Sequence, residues 1–178
     1  IGKVGKHTPL SISGGLYMTE QYKLDYQSPI GVIEIVGSAD TIFSILFSEE
    51  EVLVHLLNED TPQVVRDCYR QLDEYFRGER HEFTFPMTME GTPFQQTVWQ
   101  SLTTIPYAKT ASYKHIAVTM GNEKAVRAVG TANGRNKLSI VIPCHRIIGA
   151  SGKLVGYAGG LWRKEWLLNH EQQFQQPK

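Results

Sequence analysis

The chain opens its ordered pattern with alternation. Tyr22, Leu24 and Tyr26 alternate with polar residues, Ser28-Pro29-Ile30-Gly31 turns the chain, and Val32 to Val36 alternates again. Gly37-Ser38-Ala39-Asp40 is a second turn, and Thr41 to Phe47 is a third β-rich run. Period-two apolar runs bounded by Gly, Pro, Asp and Ser predict an antiparallel three-stranded meander. The period then changes. Thr61-Pro62 places a capping residue before a first-turn proline, and Val65, Cys68, Tyr69, Leu72, Tyr75 and Phe76 recur at helical spacing until Gly78. Cys68 lies on that apolar stripe, so it is expected to be a buried, inert thiol.

Beyond residue 91 the pattern is mostly helical. Thr92-Pro93 with Gln95 forms a capping box, and Phe94, Val98, Leu102 and Ile105 make the apolar stripe of a helix over 92–104 that ends at Pro106. Ser112 can cap a helix from Tyr113 to Met120; Gly121-Asn122 interrupts it; Glu123 to Ala132 resumes before Asn133-Gly134. Helix, glycine turn and helix is the helix-turn-helix pattern. Its second helix is unusual for a major-groove reader, which needs long polar side chains. Ala125, Ala128, Gly130, Thr131 and Ala132 leave one side almost without bulk, and Arg127 is the long cation there, with Arg135 just beyond. A smooth helix carrying one Arg suits a minor groove, with the Arg as wedge or probe. The alternative is an alanine-rich helix buried against its neighbours. Leu138 to Ile142 reads as a further strand, and Leu161 to His170 as a last helix with Glu171 at its end.

These patterns predict an α+β chain in two domains, 18–91 and 92–178. Met18-Thr19-Glu20 reads as a start, making residues 1–17 an expression-tag remnant or disordered tail. No apolar run approaches the ~18 residues of a membrane span, and two cysteines are too few for a disulfide framework. A cytoplasmic protein with no membrane partner is expected.

Charge is unevenly distributed along the chain. Over the 178 residues, 18 basic side chains balance 18 acidic ones. Residues 1–91 hold 7 basic and 15 acidic side chains, a net of −8, whereas residues 92–178 hold 11 and 3, a net of +8. The neutral total hides a basic half suited to a polyanion. An electrostatically paired domain interface would leave the same imprint.

The basic half also carries the chemistry. Pro143-Cys144-His145-Arg146 follows the Leu138–Ile142 run directly. A thiolate is a nucleophile, and lowering a thiol pKa calls for a nearby cation or base, for which His145 and Arg146 are candidates. Adjacent residues of an extended chain point to opposite faces, so a Cys–His pairing requires a sharp turn or an intervening water. Imidazole works better with a carboxylate partner. Only Glu123, Glu165 and Glu171 are available in this half, and Glu171 is the expected one.

From Phe94 to Glu171 the chain resembles the O6-alkylguanine-DNA alkyltransferase family, also called methylated-DNA-protein-cysteine methyltransferases. The resemblance is carried by Ser112-Tyr113, Lys124-Ala125-Val126-Arg127-Ala128-Val129-Gly130, Asn136, Ile142-Pro143-Cys144-His145-Arg146, Gly156-Tyr157-Ala158-Gly159-Gly160 and Lys164-Glu165-Trp166-Leu167-Leu168 through His170-Glu171. It implies a ribonuclease-H-like first domain and a winged-helix-like second one. It further implies a single, irreversible transfer of an alkyl group from O6 of guanine in duplex DNA to Cys144, after the base is flipped out of the stack. In that scheme Glu171, His145 and a water carry away the thiol proton, Asn136 is a hinge before Cys144, and Tyr113 meets the flipped nucleotide. Ile147, Tyr157, Ala158 and Gly159 would line the base pocket; Arg127, Ala125, Ala128, Gly130, Thr131 and Arg135 would face DNA. No cofactor is implied, and a monomer is expected; O4-alkylthymine is left open as a second substrate. Ala158 replaces the Ser of some relatives. Cys68 is the only cysteine before residue 92, so the zinc site of some members is not expected here. Alkyltransferase-like proteins that replace the nucleophile with Trp are excluded by Cys144. Two other readings share these residues: a cysteine hydrolase, which would turn over, and a helix-turn-helix regulator, which would give Cys144 no task.

Overall fold

The computed structural model describes residues 20–176. The expectation for residues 1–17 lies outside them. The chain divides into two compact units, one of residues 20–73 with 84–88 and another of residues 74–83 with 89–176. Among the described residues no helix is long and apolar enough to cross a membrane.

In the first unit, β1 (Tyr22–Ser28), β2 (Gly31–Gly37) and β3 (Ile42–Phe47) form the expected antiparallel sheet in the order β1-β2-β3. Leu24 faces Ile35, which faces Ile45, so three apolar side chains align across one face. All three are buried. The opposite face is not bare, because Asp25 accepts from the backbone N–H groups of Val54 and His55 at 2.8 and 2.9 Å and holds that loop over β1. Helix α1 (Gln63–Phe76) lays Val65, Cys68 and Leu72 into the core. Gly37 permits its approach: a Cβ there would lie 2.8 Å from the Thr41 carbonyl and 3.2 Å from Val65. Cys68 is fully buried, and burial pushes its thiol pKa up, as an inert core cysteine requires.

The second unit gathers α2 (Pro93–Leu102), α3 (Tyr113–Thr119), α4 (Val126–Gly134) and α5 (Leu161–Gln173). The Thr92–Gln95 capping box forms in both directions, and Ser112 accepts from the His115 N–H to start α3. Trp99 of α2 donates its indole N–H to the Ala132 carbonyl of α4 at 2.8 Å, fastening these helices. Glu123–Ala125 is a separate 3-10 turn rather than the start of a continuous helix. Its Asn122 makes no side-chain cap, which leaves the helix proper to begin at Val126. A parallel pair, β4 (Ala111–Ser112) with β5 (Ile147–Ile148), ties the start of α3 to the segment after Cys144.

Leu138–Ile142 is not a strand. It is a compact turn in which the Ile142 N–H reaches the Leu138 carbonyl at 2.9 Å and Ile140 takes a φ of 73°. A β-branched residue in that region is strained. Asn136 compensates by acting as a staple: its side chain donates to Ile142 O at 2.9 Å and accepts from Leu138 N–H at 2.9 Å. β-propensity described the side chains correctly but not the backbone that Asn136 imposes on them.

Candidate active site and nucleic-acid face

The Asn136-stapled turn delivers Cys144–Arg146 as a single 3-10 turn. This supplies the sharp bend that an extended Cys-His pair would lack. Cys144 is 5% exposed and His145 and Glu171 are fully buried. His145 Nε2 lies 2.7 Å from Glu171 Oε2, across 26 residues of sequence. Glu171 lies within α5, not at its end, so the helix body fixes the carboxylate in place.

Five hydrogen bonds converge on Glu171. Oε1 accepts from Arg146 Nε at 2.8 Å and from the Ala108 N–H at 3.1 Å. Oε2 accepts from His145, from the Tyr75 hydroxyl at 2.7 Å and from Arg146 Nη2 at 3.1 Å. Ala108 has a φ of 62°, so both non-glycine residues with positive φ among those described, Ala108 and Ile140, lie in segments that shape this site. Burial alone pushes the Glu171 carboxyl up, but His145 and Arg146 outweigh it and hold the group well below the usual carboxylate range. Burial pushes His145 down, against the pull of Glu171. The consistent state is an ionised Glu171 and a neutral imidazole. A carboxylate can only accept, so the imidazole proton sits on Nε2, and Nδ1 is a buried lone pair with no hydrogen-bond partner among the described residues.

Arg146 therefore does not activate the thiol as its sequence position suggested. It forks onto Glu171 and donates Nη1 to the Ile105 carbonyl at 2.8 Å, so each of its three nitrogens is engaged by an oxygen away from the sulfur. Burial pushes the Cys144 thiol up, against the lowering influence of the Asn136 side chain and of Lys164. Cys144 thus rests as a thiol, and a base would be needed for it to act as a nucleophile. Lys164 was not anticipated: it is fully buried in α5, donates to Val155 O at 2.8 Å and Gly156 O at 3.3 Å, and is pushed down to about 8 by burial. Its position in an amphipathic-looking helix hid it, since a lysine on a helix is ordinarily a solvated one.

The other candidates fall into two groups. Tyr113, Tyr157 and Ile147 lie with Cys144: burial and then the cysteine's charge push the Tyr113 phenol up, and Tyr157 likewise stands well above its ordinary value. Tyr113 donates to Val155 O at 3.3 Å, and Ile147 is buried in β5 opposite Ala111. Ala158 is exposed and Gly159 half-buried beside them. Among the described residues Asn136 makes no hydrogen bond to His145 or Glu171; it holds the backbone before Cys144 and bears directly on the thiol, whose pKa its side chain pulls down. Glu123 and Glu165 are exposed and take no part, Glu123 lying 3.5 Å from Lys114.

The second group is α4. Arg127, Ala128, Thr131 and Arg135 are exposed, Ala125 and Gly130 are half-buried, and Ala132 is buried with Val129. The small-residue side thus faces solvent, and the buried-alanine alternative applies only to Ala132. His81, an isolated histidine in the sequence, stacks on Tyr107 at 3.6 Å and bonds the Phe174 carbonyl at 2.8 Å. Among the described residues, the ligand atoms of Asp25, Glu34 and His55 come within 4.8 Å of one another, but Asp25 is already bonded to two N–H groups and Lys23 lies 3.8 Å from Glu34.

A cysteine next to a buried imidazole–carboxylate pair, with an exposed helix-turn-helix in the same unit, defines a class of DNA-directed cysteine-nucleophile proteins. Two family models match this chain: the ribonuclease-like domain of 6-O-methylguanine DNA methyltransferase over residues 22–89 and its DNA binding domain over residues 93–173. The chain belongs to that family. It is 43% identical over 152 residues to a methylated-DNA–protein-cysteine methyltransferase of Methanosarcina acetivorans, covering 84% of this chain and 97% of the relative. Identity is also 43% over 157 residues to the constitutive enzyme of that name in Bacillus subtilis, covering 84% and 94%. A crystal structure of Mycobacterium tuberculosis O6-methylguanine methyltransferase superposes with a TM-score of 0.76 at 40% identity, over 86% of this chain and 93% of that one. The same organism's protein in complex with DNA gives 0.77 at 42% identity, over 85% and 93%.

Proposed function

We propose that this protein repairs duplex DNA by moving the alkyl group of an O6-alkylguanine onto its own Cys144, once per molecule and without a cofactor. The observation that carries the reading is the fully buried His145–Glu171 pair beside Cys144, with a free lone pair on Nδ1. The thiol proton passes through a water to Nδ1, and Glu171, kept ionised by Arg146, stabilises the imidazolium that forms. Sγ attacks the alkyl carbon, the S–C bond forms as the C–O6 bond breaks, and guanine departs with a proton supplied from Tyr113, whose phenolate is reprotonated from water as the imidazolium releases the former thiol proton to solvent, so that the protons balance. The thioether has no leaving group for water, so the protein is consumed.

DNA meets α4. Ala125, Ala128, Gly130 and Thr131 let the backbone approach a minor groove, Arg135 contributes charge, and Arg127 occupies the gap in the stack once the base is flipped. The flipped base lies against Ile147, Tyr157, Ala158 and Gly159, and Asn136 holds the turn that positions the sulfur. The working domain is 92–178, with 18–91 as scaffold; the protein acts as a monomer, and its free cysteines suit a cytoplasmic setting. Incubation with a duplex containing O6-methylguanine, followed by intact mass, tests the reading. One methyl per chain is expected, absent in Cys144→Ala. An intact protein that gains no methyl overturns it, and repeated turnover would identify a hydrolase instead.

A further inference from the structure

Tyr75 is a fully buried phenol that the reaction scheme does not use, although its hydroxyl is as close to Glu171 Oε2 as His145 is, at 2.7 Å. It comes from the last turn of α1, remote in sequence from the Cys144 motif. Its backbone carbonyl accepts from His170 Nε2 at 2.8 Å, and its ring packs edge-on against Phe76 and Tyr107, so the hydroxyl has one orientation. We infer that Tyr75 is a positioning residue that sets the basicity of His145 by sharing the Glu171 oxygen on which the imidazole depends. This inference rests on the proposed reaction only for its purpose; its geometry stands without it.

Glu171 is ionised, so the hydrogen between the two oxygens belongs to Tyr75, and burial followed by the Glu171 charge keeps that phenol protonated at all working pH values. A charge-assisted O–H donor draws negative charge toward itself. Less of it then supports imidazolium on His145, so the imidazole stays neutral and Nδ1 stays free to accept. The other groups facing this cluster are Arg146 from the 3-10 turn, Cys144, Lys164 and His170 from α5, and Tyr107 ahead of β4. The cations Arg146 and Lys164 act in the same direction as Tyr75, and none of the others bonds Oε2. Removing the hydroxyl leaves four donors on a carboxylate that has about four lone-pair sites, so Tyr75→Phe is compatible with an intact fold.

The test follows the imidazole of His145 by NMR titration in wild type and Tyr75→Phe, alongside methyl transfer measured from pH 5 to 9. The His145 midpoint is expected to rise by about one pH unit, and the acid limb of transfer to move with it. Incorporating 3-fluorotyrosine at position 75, a stronger donor of nearly the same size, should move the midpoint the opposite way and guards against a packing effect of the Phe variant. A transfer rate that falls equally at every pH with an unmoved midpoint overturns the inference. A wild type that titrates as expected but gains no methyl would instead sink the repair reading and leave the inference standing.

Discussion

Replacing Glu171 with Gln changes one atom and puts that atom in contact with three donors. If the amide oxygen stays at the Oε1 position it still accepts from Ala108 N–H and Arg146 Nε, but the NH2 group then faces Arg146 Nη2, the Tyr75 hydroxyl and His145 Nε2. His145 can relieve its own clash by moving its proton to Nδ1 and accepting at Nε2. That tautomer has no base facing the thiol. Loss of a general base costs about 10²- to 10⁴-fold in rate. Arg146, 7% exposed, also loses the anion it was built around, and breaking one partner of a buried pair costs ~3–5 kcal/mol. Against a total of ~5–15 kcal/mol for a domain, the variant should still fold at low temperature. Single-turnover methyl transfer at 10 °C, with DNA affinity and urea unfolding measured on the same material, separates the two effects. Transfer should fall by at least about 100-fold, affinity for undamaged duplex should hold, and the urea midpoint should drop. A transfer rate within about threefold of wild type refutes the relay, whatever happens to stability.

Two further outcomes follow from the same geometry. Arg127 is exposed, so Arg127→Ala should leave stability within ~0.5 kcal/mol; it should slow transfer from duplex by about 10- to 100-fold, as a lost unstacking contribution of ~1.4–3 kcal/mol predicts, yet leave transfer from free O6-methylguanine unchanged, and equal slowing on both substrates would reject the wedge. The pH dependence of stability should fall in two stages: His145 and His170 are both pushed below their ordinary value by burial, so the unfolded chain binds more protons and stability declines as pH drops below about 6.5. Glu171, held low in the folded state, adds a second decline below about 4.3; a urea midpoint constant from pH 7.5 to 5 would contradict the neutral assignment of His145.

Residue pattern alone determined much of this protein. The strands at Tyr22–Ser28, Gly31–Gly37 and Ile42–Phe47, the Thr92 and Ser112 caps, and the Cys68 stripe are local consequences of periodicity and capping chemistry, and they formed as read. The +8 half, the bare side of α4 and the Cys144-His145 pair were legible because they are short-range or compositional. Glu171 could be chosen because residues 92–178 hold only three acids.

The partners of those groups come from folding. Arg146 stands next to the thiol in sequence, yet the 3-10 turn directs it to Glu171, because a buried carboxylate demands a bidentate cation more than a neutral thiol does. The Leu138–Ile142 run has strand propensity but is wound into a strained turn in which the Asn136 side chain donates to the Ile142 carbonyl and accepts from the Leu138 N–H. Lys164 and Tyr75 gave no sign of their polar contacts in the sequence: Tyr75 belongs to the apolar stripe of α1, and Lys164 stands in the matched stretch of α5 without a legible partner. Each looks like an ordinary helical residue, and each gains its meaning from partners 8 to 96 positions away, where burial turns a single hydrogen bond into control of a proton.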